Sequence, residues 1–474
     1  MSSNEIGFSN QRNIVLNDFS QFELLLESVG LPKDNIVAPP EERNRIMAAL
    51  PDFVGSLSPE TKRDARYLSK FIAGSAIGLF DASLNYVWNE VVVTLRNKVT
   101  VYGLDIFFDA AVGEKLREQY QSEEDLAGLK DQTLLDTCRK LELISDIIHK
   151  KLSHILTMRN DIGASHPNTY SINSYELLGW LTTCINDVLQ DGPSRSAITV
   201  KSIVDNLKRN KSHLEQEIVE SFKRSIKDLS SVMAGNLLTS LYGLFVSDKT
   251  EKLTQENILK LAPIVWEHTT DNFKYDLGEK HDNYKAKLDH SRMSYSERFF
   301  EECDGKRYYS LDTKSVKLSS LCDDLVSAHN GLDNYYHEPP IVKSIMSFIK
   351  KAEDIPAERE EKIINSILTC RIGREVGYRN GVSPGARDSY DGFLKLLNKE
   401  QTILVINLMK NPEIRNKLSG SIRRNNAAEI LEHLKTPLIG DRLIEIIDYM
   451  ISSKNHLENV FYEKKFIELT NGII

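Results

Sequence analysis

The chain has 474 residues, which is too long for one ordinary hydrophobic core, so two or three domains are expected. Its hydrophobic content of 41% and charged content of 27% are typical of a globular protein and argue against the disordered and membrane classes. The formal net charge of -8 excludes a global basic field that would attract nucleic acid. Any contact with nucleic acid would therefore have to come from a local basic surface.

The five cysteines are scattered, without a CxxC pair or a histidine at zinc-ligand spacing. This low density is typical of a reduced cytoplasmic protein. The N-terminus lacks a basic start followed by an apolar run, so we expect no signal peptide. The most apolar stretch, 71–88, is interrupted by Asp81 and Asn85 and predicts no membrane span. We expect a cytoplasmic protein that uses neither a metal nor a cofactor.

Helical signals begin with a lead-in over residues 1–57. Ser58 and Pro59 are typical of a helix start, and apolar residues then recur every three or four positions to about residue 99. A second long helix is predicted from about residue 131 and must end near Gly163 and Pro167, because both residue types disfavour helix. A third is predicted over residues 174–189.

The remaining chain also shows helical periodicity and little strand-like alternation, so the predicted fold class is all-α. Residues 276–317 are polar, charged and rich in turn-forming residues, which indicates a linker or an exposed excursion. The predicted domains are a lead-in over 1–57, a helical bundle over 58–192, a middle region over 193–329 and a multi-helical regulatory or partner-binding domain over 330–474. Further helices are predicted over 201–214, 217–246, 341–351, 358–371, 401–408 and 443–451.

One short motif carries candidate chemistry. Arg159 and His166 are seven residues apart, about two helical turns, and therefore share a face while the helix lasts. The 2′-hydroxyl of RNA can attack the adjacent phosphate if one group removes its proton and another protonates the leaving 5′-oxygen. Histidine can transfer protons near neutral pH, and arginine can hold the phosphate through two hydrogen bonds.

The segment Arg159-Asn160, followed by His166 at the end of the second of two long helices, resembles the signature of the HEPN superfamily. The resemblance covers residues 58–192. It implies a metal-independent endoribonuclease of toxin–antitoxin or antiviral systems, acting as a homodimer or higher oligomer on an RNA substrate. It also implies catalytic roles for Arg159, Asn160 and His166, and a cognate inhibitor or sensor protein is a further expected partner. Asp161 is a candidate helper that lies outside the motif.

Two alternatives remain open at this stage. The HEPN-like unit could serve only for dimerisation or RNA binding in a non-catalytic helical adaptor, or the chain could be an unrelated helical regulatory subunit. Arginines near the C-terminus are candidates for binding RNA or a nucleotide effector, although such clusters are often solvated helix faces. These candidates are Arg371, Arg374, Arg379, Arg387, Arg423 and Arg424.

Overall fold

The computed structural model describes residues 20–34, 36–112, 117, 119–164, 170–189, 194–438 and 442–473. None of these residues lies in a β-strand, and the regular elements are helices, which confirms the all-α prediction. Within the same ranges, no helix has the length and apolar character needed to cross a membrane.

The chain divides into two compact units. Unit 1 comprises Met1–Phe245 and Lys249–Thr270, and unit 2 comprises Val246–Asp248 and Asp271–Ile474. The boundary predicted after residue 192 falls within unit 1. The boundary predicted after residue 329 falls at the end of a long helix in unit 2.

Thirteen helices of unit 1 are described, and they are numbered here in chain order. They are α1 Ser20–Ser28, α2 Pro40–Ser56, α3 Pro59–Asp64, α4 Arg66–Ile77, α5 Phe80–Tyr102, α6 Leu104–Ala111, α7 Asp131–Lys140, α8 Asp146–Met158, α9 Ser174–Cys184, α10 Arg195–Arg209, α11 Gln216–Lys227, α12 Ser231–Val246 and α13 Lys252–Glu267. Wider π-helical turns follow α8 at Arg159–Ala164 and α9 at Ile185–Leu189.

The long helix predicted from residue 58 to about 99 is in fact α3, α4 and α5. Gly78 ends α4 in a left-handed conformation with φ of 99°. A Cβ at this glycine would lie 2.8 Å from the backbone nitrogen of Ala38, so a larger residue would clash with the segment that precedes α2. The chain then turns into α5, whose buried face includes Leu84, Val91 and Leu95. The apolar periodicity predicted the buried face but not the breaks.

The helix predicted from residue 131 is also divided, into α7 and α8. Glu142 between them has a positive φ of 54°, which cannot be part of a right-handed helix. The side chain of Ser145 then accepts a hydrogen bond from the backbone N–H of Ile148 at 3.3 Å and caps α8. Leu152, Ile155 and Leu156 bury one face of α8 and fix the direction in which its C-terminal end points.

Unit 2 continues the numbering with eleven described helices. They are α14 Asp271–Ala286, α15 His290–Glu302, α16 Leu311–Asn330, α17 Asn334–Phe348, α18 Glu360–Ile372, α19 Pro384–Leu396, α20 Lys399–Lys410, α21 Pro412–Arg415, α22 Ser421–Leu434, α23 Leu443–Ser452 and α24 Lys464–Thr470.

The linker predicted over residues 276–317 is wrong, because most of this segment lies in α14, α15 and the start of α16. Many of its polar residues lie on the solvent-facing sides of these helices. Their inner sides bury Leu277, Phe299 and Phe300 completely. Tyr284 and Tyr309 of the same segment are also buried, so helices whose average composition is that of a loop pack through one apolar side.

Candidate functional site

The segment that carries the arginine of the motif changes its helical geometry at that residue. The α-helix α8 ends at Met158, and Arg159–Ala164 continue as a π-helix that packs against α5. π-Helical turns are rare and are frequently found at functional sites. Within Arg159–Ala164 the wider turn departs from α-helical spacing, so the α-helical geometry of α8 does not extend beyond Arg159.

Two amide oxygens hold the guanidinium group of Arg159. Its Nε donates to Oδ1 of Asn85 on α5 at 3.0 Å, and its Nη1 donates to Oδ1 of Asn160 at 2.9 Å. The Asn85 amide is itself oriented, because its Nδ2 donates to the carbonyl of Asp81 at 3.0 Å. Both acceptors are neutral, so these contacts orient the arginine without neutralising its positive charge.

The guanidinium of Arg159 is half-buried and keeps hydrogen-bonding capacity. Its Nη2 has no acceptor among the residues that the structure describes. An arginine offers five N–H donors in a planar fork, so donors remain for two oxygens of a phosphate group.

The other residues of the motif have different surroundings. Asn160 and Asp161 are exposed at the beginning of the π-helical turn. His166 lies outside the described residues, so its distance from Arg159 stays a prediction. The structure therefore brings Arg159, Asn160 and Asn85 together, of which Asn85 was not predicted from the sequence.

Sequence reasoning had one signal for Asn85. Asp81 and Asn85 are polar residues one helical turn apart that interrupt the most apolar stretch of the chain. The same interruption disfavours a membrane span and does not by itself indicate a partner for Asn85. Since Asn85 and Arg159 are separated by 74 positions, periodicity could not pair them.

The arginine candidates of unit 2 are mainly engaged inside the fold. Arg371 is fully buried, and its Nε and Nη2 donate to Asp391 and Glu429 at 2.6 and 2.7 Å. Arg387 donates to the same Glu429 carboxylate. Arg371 consequently does not belong to an exposed basic cluster, and its role in the structure is to join α18, α19 and α22.

Three further arginines bind neighbouring backbone or acidic groups. Arg374 donates to the carbonyls of residues 329 and 331 at the C-terminal end of α16, where cations are favoured by the helix dipole. Arg423 Nε donates to a backbone carbonyl at 3.1 Å, and Arg424 forms a long ion pair of 3.5 Å with Glu458. Arg379 is exposed, with its guanidinium 5.9 Å from the centre of the Tyr378 ring.

No three His, Cys, Asp or Glu side chains in the described ranges are grouped so that they could hold a metal ion. All five cysteines are buried and free, and burial raises the pKa of the Cys322 thiol to about 11 and that of Cys138 to about 12. Such thiols are protonated at neutral pH and are poor nucleophiles.

The chain matches none of the protein-family models, curated proteins or solved structures with which it was compared.

Proposed function

We propose that this protein is an endoribonuclease of HEPN type whose active site contains Arg159, Asn160 and His166. The proposal rests on the sequence motif together with one observation, the oriented guanidinium of Arg159 at the start of a π-helical turn. Two neutral amide oxygens fix that group and leave its charge available for a phosphate. Such a preorganised cation stabilises the charge that develops on phosphate oxygens in the transition state.

In the proposed reaction, the 2′-hydroxyl loses its proton to a base and its oxygen attacks the adjacent phosphorus. The bond from phosphorus to the 5′-oxygen breaks, and an acid protonates that oxygen. His166 acts as the base or the acid, since imidazole titrates near neutral pH. Arg159 binds the non-bridging oxygens. The products are a 2′,3′-cyclic phosphate and a 5′-hydroxyl, and the proposed reaction requires no metal.

A second copy of the chain completes the proposed site. One histidine cannot be acid and base at once in a single step, and each chain contributes one Arg159–His166 motif. A two-fold axis beside the π-helical turn would place two motifs opposite each other. We propose a homodimer or higher oligomer formed through residues 58–192, with residues 330–474 binding an inhibitor or sensor protein. The resemblance further assigns the enzyme to toxin or antiviral defence.

The test is incubation of the purified full-length chain with total RNA in excess EDTA, followed by mapping of the ends. We expect cleavage with 2′,3′-cyclic phosphate and 5′-hydroxyl ends, and loss of cleavage in His166→Ala with unchanged helical circular dichroism. Products with 5′-phosphates, or cleavage by His166→Ala at the wild-type rate, would refute the proposed mechanism. Binding of RNA without cleavage would instead favour the adaptor alternative.

A further inference from the structure

Unit 2 contains a cluster of four cationic side chains with few carboxylate partners. The cluster lies where the start of α14, the turn Lys306–Tyr308, the first turn of α16 and the turn Ala352–Asp354 meet. Its cations are Lys274, Arg307, Lys314 and Lys351, and the carboxylates within it are Asp271 and Asp354.

Lys314 is the least favourable charge in this cluster. Its residue is 3% exposed, and its Nζ makes no hydrogen bond to any residue that the structure describes. It lies in the first turn of α16, after the cap residue Ser310, where the helix dipole disfavours a cation. Burial lowers the pKa of Lys314, and the nearby charges of Arg307 and Lys351 lower it further, against the opposing effect of Asp354.

Arg307 is likewise incompletely bonded. Its Nε is buried and has no hydrogen-bond partner in the described part of the chain. The carboxylates of Asp271 and Asp354 lie 3.7 and 3.8 Å away, which is too far for a hydrogen bond. Both carboxylates therefore contribute charge to the cluster but leave donor positions of the guanidinium open.

The acidic groups are already bonded elsewhere. Oδ2 of Asp354 accepts the backbone N–H groups of Lys350 and Lys351 at 2.9 and 3.1 Å. Asp271 accepts the hydroxyl of Tyr308 at 2.7 Å. The exposed Lys351 has Glu353 as its own counter-ion at 3.9 Å. The half-buried Arg307 and the buried Lys314 therefore share Asp271 and Asp354 with Lys274. Incompletely bonded charges of this kind cost free energy unless an anion is present.

An aromatic surface adjoins the cluster. Tyr275 follows Lys274 in α14 and is 40% exposed, and its ring meets the ring of Tyr308 edge-on at 5.0 Å. The guanidinium of Arg307 lies over the Tyr308 ring, 4.8 Å from its centre. A planar heterocycle could stack on the accessible ring while a linked phosphate reaches the cations.

We propose that Arg307 and Lys314 form the phosphate-binding part of a nucleoside monophosphate site, with Tyr275 stacking on the base. The open donors of the guanidinium and the ammonium group match the oxygens of a single phosphate. The bound anion would relieve the repulsion between these cations, so binding and stability of unit 2 are linked. The site is independent of the proposed ribonuclease centre in unit 1.

The experiment measures the thermal midpoint of the full-length protein against inorganic phosphate, adenosine 5′-monophosphate and chloride at constant ionic strength. We expect saturable increases with phosphate and with the nucleotide, the nucleotide saturating at lower concentration, and no such increase with chloride. Arg307→Gln and Lys314→Met should each weaken both titrations about tenfold or more, since each loses a hydrogen bond between charged groups. Tyr275→Ala should lower the affinity for adenosine 5′-monophosphate until it equals the affinity for inorganic phosphate.

Lys350→Gln is the matched control. It removes one positive charge next to Lys351, but the Lys350 ammonium pairs with Asp304 at 2.9 Å and lies outside the cluster. The Lys350→Gln protein should therefore bind phosphate and the nucleotide as tightly as wild type does. In chloride alone, Lys314→Met should melt above wild type, because a buried charge is replaced by an apolar side chain of similar length.

An unaltered phosphate response in both Arg307→Gln and Lys314→Met would overturn the proposal, as would a wild-type protein without saturable stabilisation. Nucleotide binding no tighter than phosphate would refute the stacking role of Tyr275. This test of anion binding does not depend on RNA cleavage, so its result can be interpreted whether or not the ribonuclease assay is positive.

Discussion

Asn85 provides the sharpest test of the proposed active site, because it lies far from the motif in sequence and has no role of its own in the chemistry. Its Oδ1 is the acceptor that fixes Nε of Arg159. In Asn85→Ala the arginine keeps its charge and its contact with Asn160 but loses this orientation. We expect slower RNA cleavage by a protein that is folded and still dimerises.

The size of the effect follows from the bond that is lost. A hydrogen bond to a charged group contributes about 1.5–3 kcal/mol, which corresponds to ~10- to 150-fold in rate if it is realised in full in the transition state. Arg159 is half-buried, and solvent will replace part of the lost interaction. We therefore expect a decrease of about tenfold, near the lower end of that range.

The assay is single-turnover cleavage of a defined RNA in EDTA, with the enzyme in excess. Asn89→Ala is the matched control: it lies one helical turn further along α5 and is also half-buried, and its side chain makes no hydrogen bond within the described residues. It removes the same amide without touching Arg159. The control should cleave at the wild-type rate, with both variants melting close to wild type.

Equal cleavage by Asn85→Ala and wild type would show that the contact between Asn85 and Arg159 does not serve catalysis. Equal losses in both asparagine variants would show a general effect of altering α5. A tenfold loss confined to Asn85→Ala would link α5 to the reaction through Arg159.

Three further outcomes are expected. Arg159→Lys should leave less than about one tenth of the cleavage rate, because the compact ammonium cannot reproduce the bidentate fork; a rate near wild type would remove the oriented guanidinium from the mechanism. Arg371→Ala should lower the free energy of unfolding in urea by about 3 kcal/mol, because it removes a fully buried side chain together with its charged hydrogen bonds to Asp391 and Glu429. Arg424→Ala, at a partly exposed pair, should cost about 1 kcal/mol or less. The pKa of His281 is lowered from 6.5 to about 4 by burial, so the unfolded chain binds a proton below pH 6.5 that the folded chain does not, and stability should fall by about 3 kcal/mol as the pH drops from 6.5 to 4. His281→Gln should flatten this part of a thermal-midpoint profile, and an unchanged slope would contradict the assignment.

Helix faces were predictable from the sequence where apolar periodicity is strong. The helix predicted over residues 443–451 is found as Leu443–Ser452, and the one predicted over 401–408 is found as Lys399–Lys410. Each buries residues at three- and four-residue spacing, which the periodicity reports directly. Such segments need little information from the rest of the chain.

Breaks between helices were harder to predict, because they depend on contacts made with distant segments. The turn at Gly78 requires the close approach of Ala38, and the single positive-φ residue Glu142 separates two helices whose apolar faces are continuous in sequence. The erroneous linker over residues 276–317 has the opposite cause. Its few large apolar residues are concentrated on one side, which mean composition does not reveal.

The candidate sites show the same limit. The sequence provided Arg159 and its neighbour Asn160, but their orientation depends on Asn85, which no local pattern could pair with them. Among the C-terminal arginines, charge and clustering predicted exposure, whereas Arg371 is buried because Asp391 and Glu429 come from other helices. Whether a cationic residue is buried or exposed depends on acidic partners from distant parts of the chain, and sequence spacing does not identify them.

The placement of residue 330 also determines how the proposed control of RNA cleavage by residues 330–474 can be tested. The helices α16 and α17, on either side of this residue, pack along each other. The buried Glu338 of α17 lies 2.9 Å from Nδ1 of His329 of α16 and accepts the hydroxyl of Tyr390 at 2.8 Å. A chain ending at residue 330 would keep His329 without this carboxylate and expose the apolar face of α16, including Leu318 and Leu325. Altered cleavage by such a fragment would report damage to unit 2 and not loss of regulation. Substitutions at exposed positions of the intact chain, such as Arg379, can distinguish loss of regulation from damage to unit 2, because they leave these buried contacts in place.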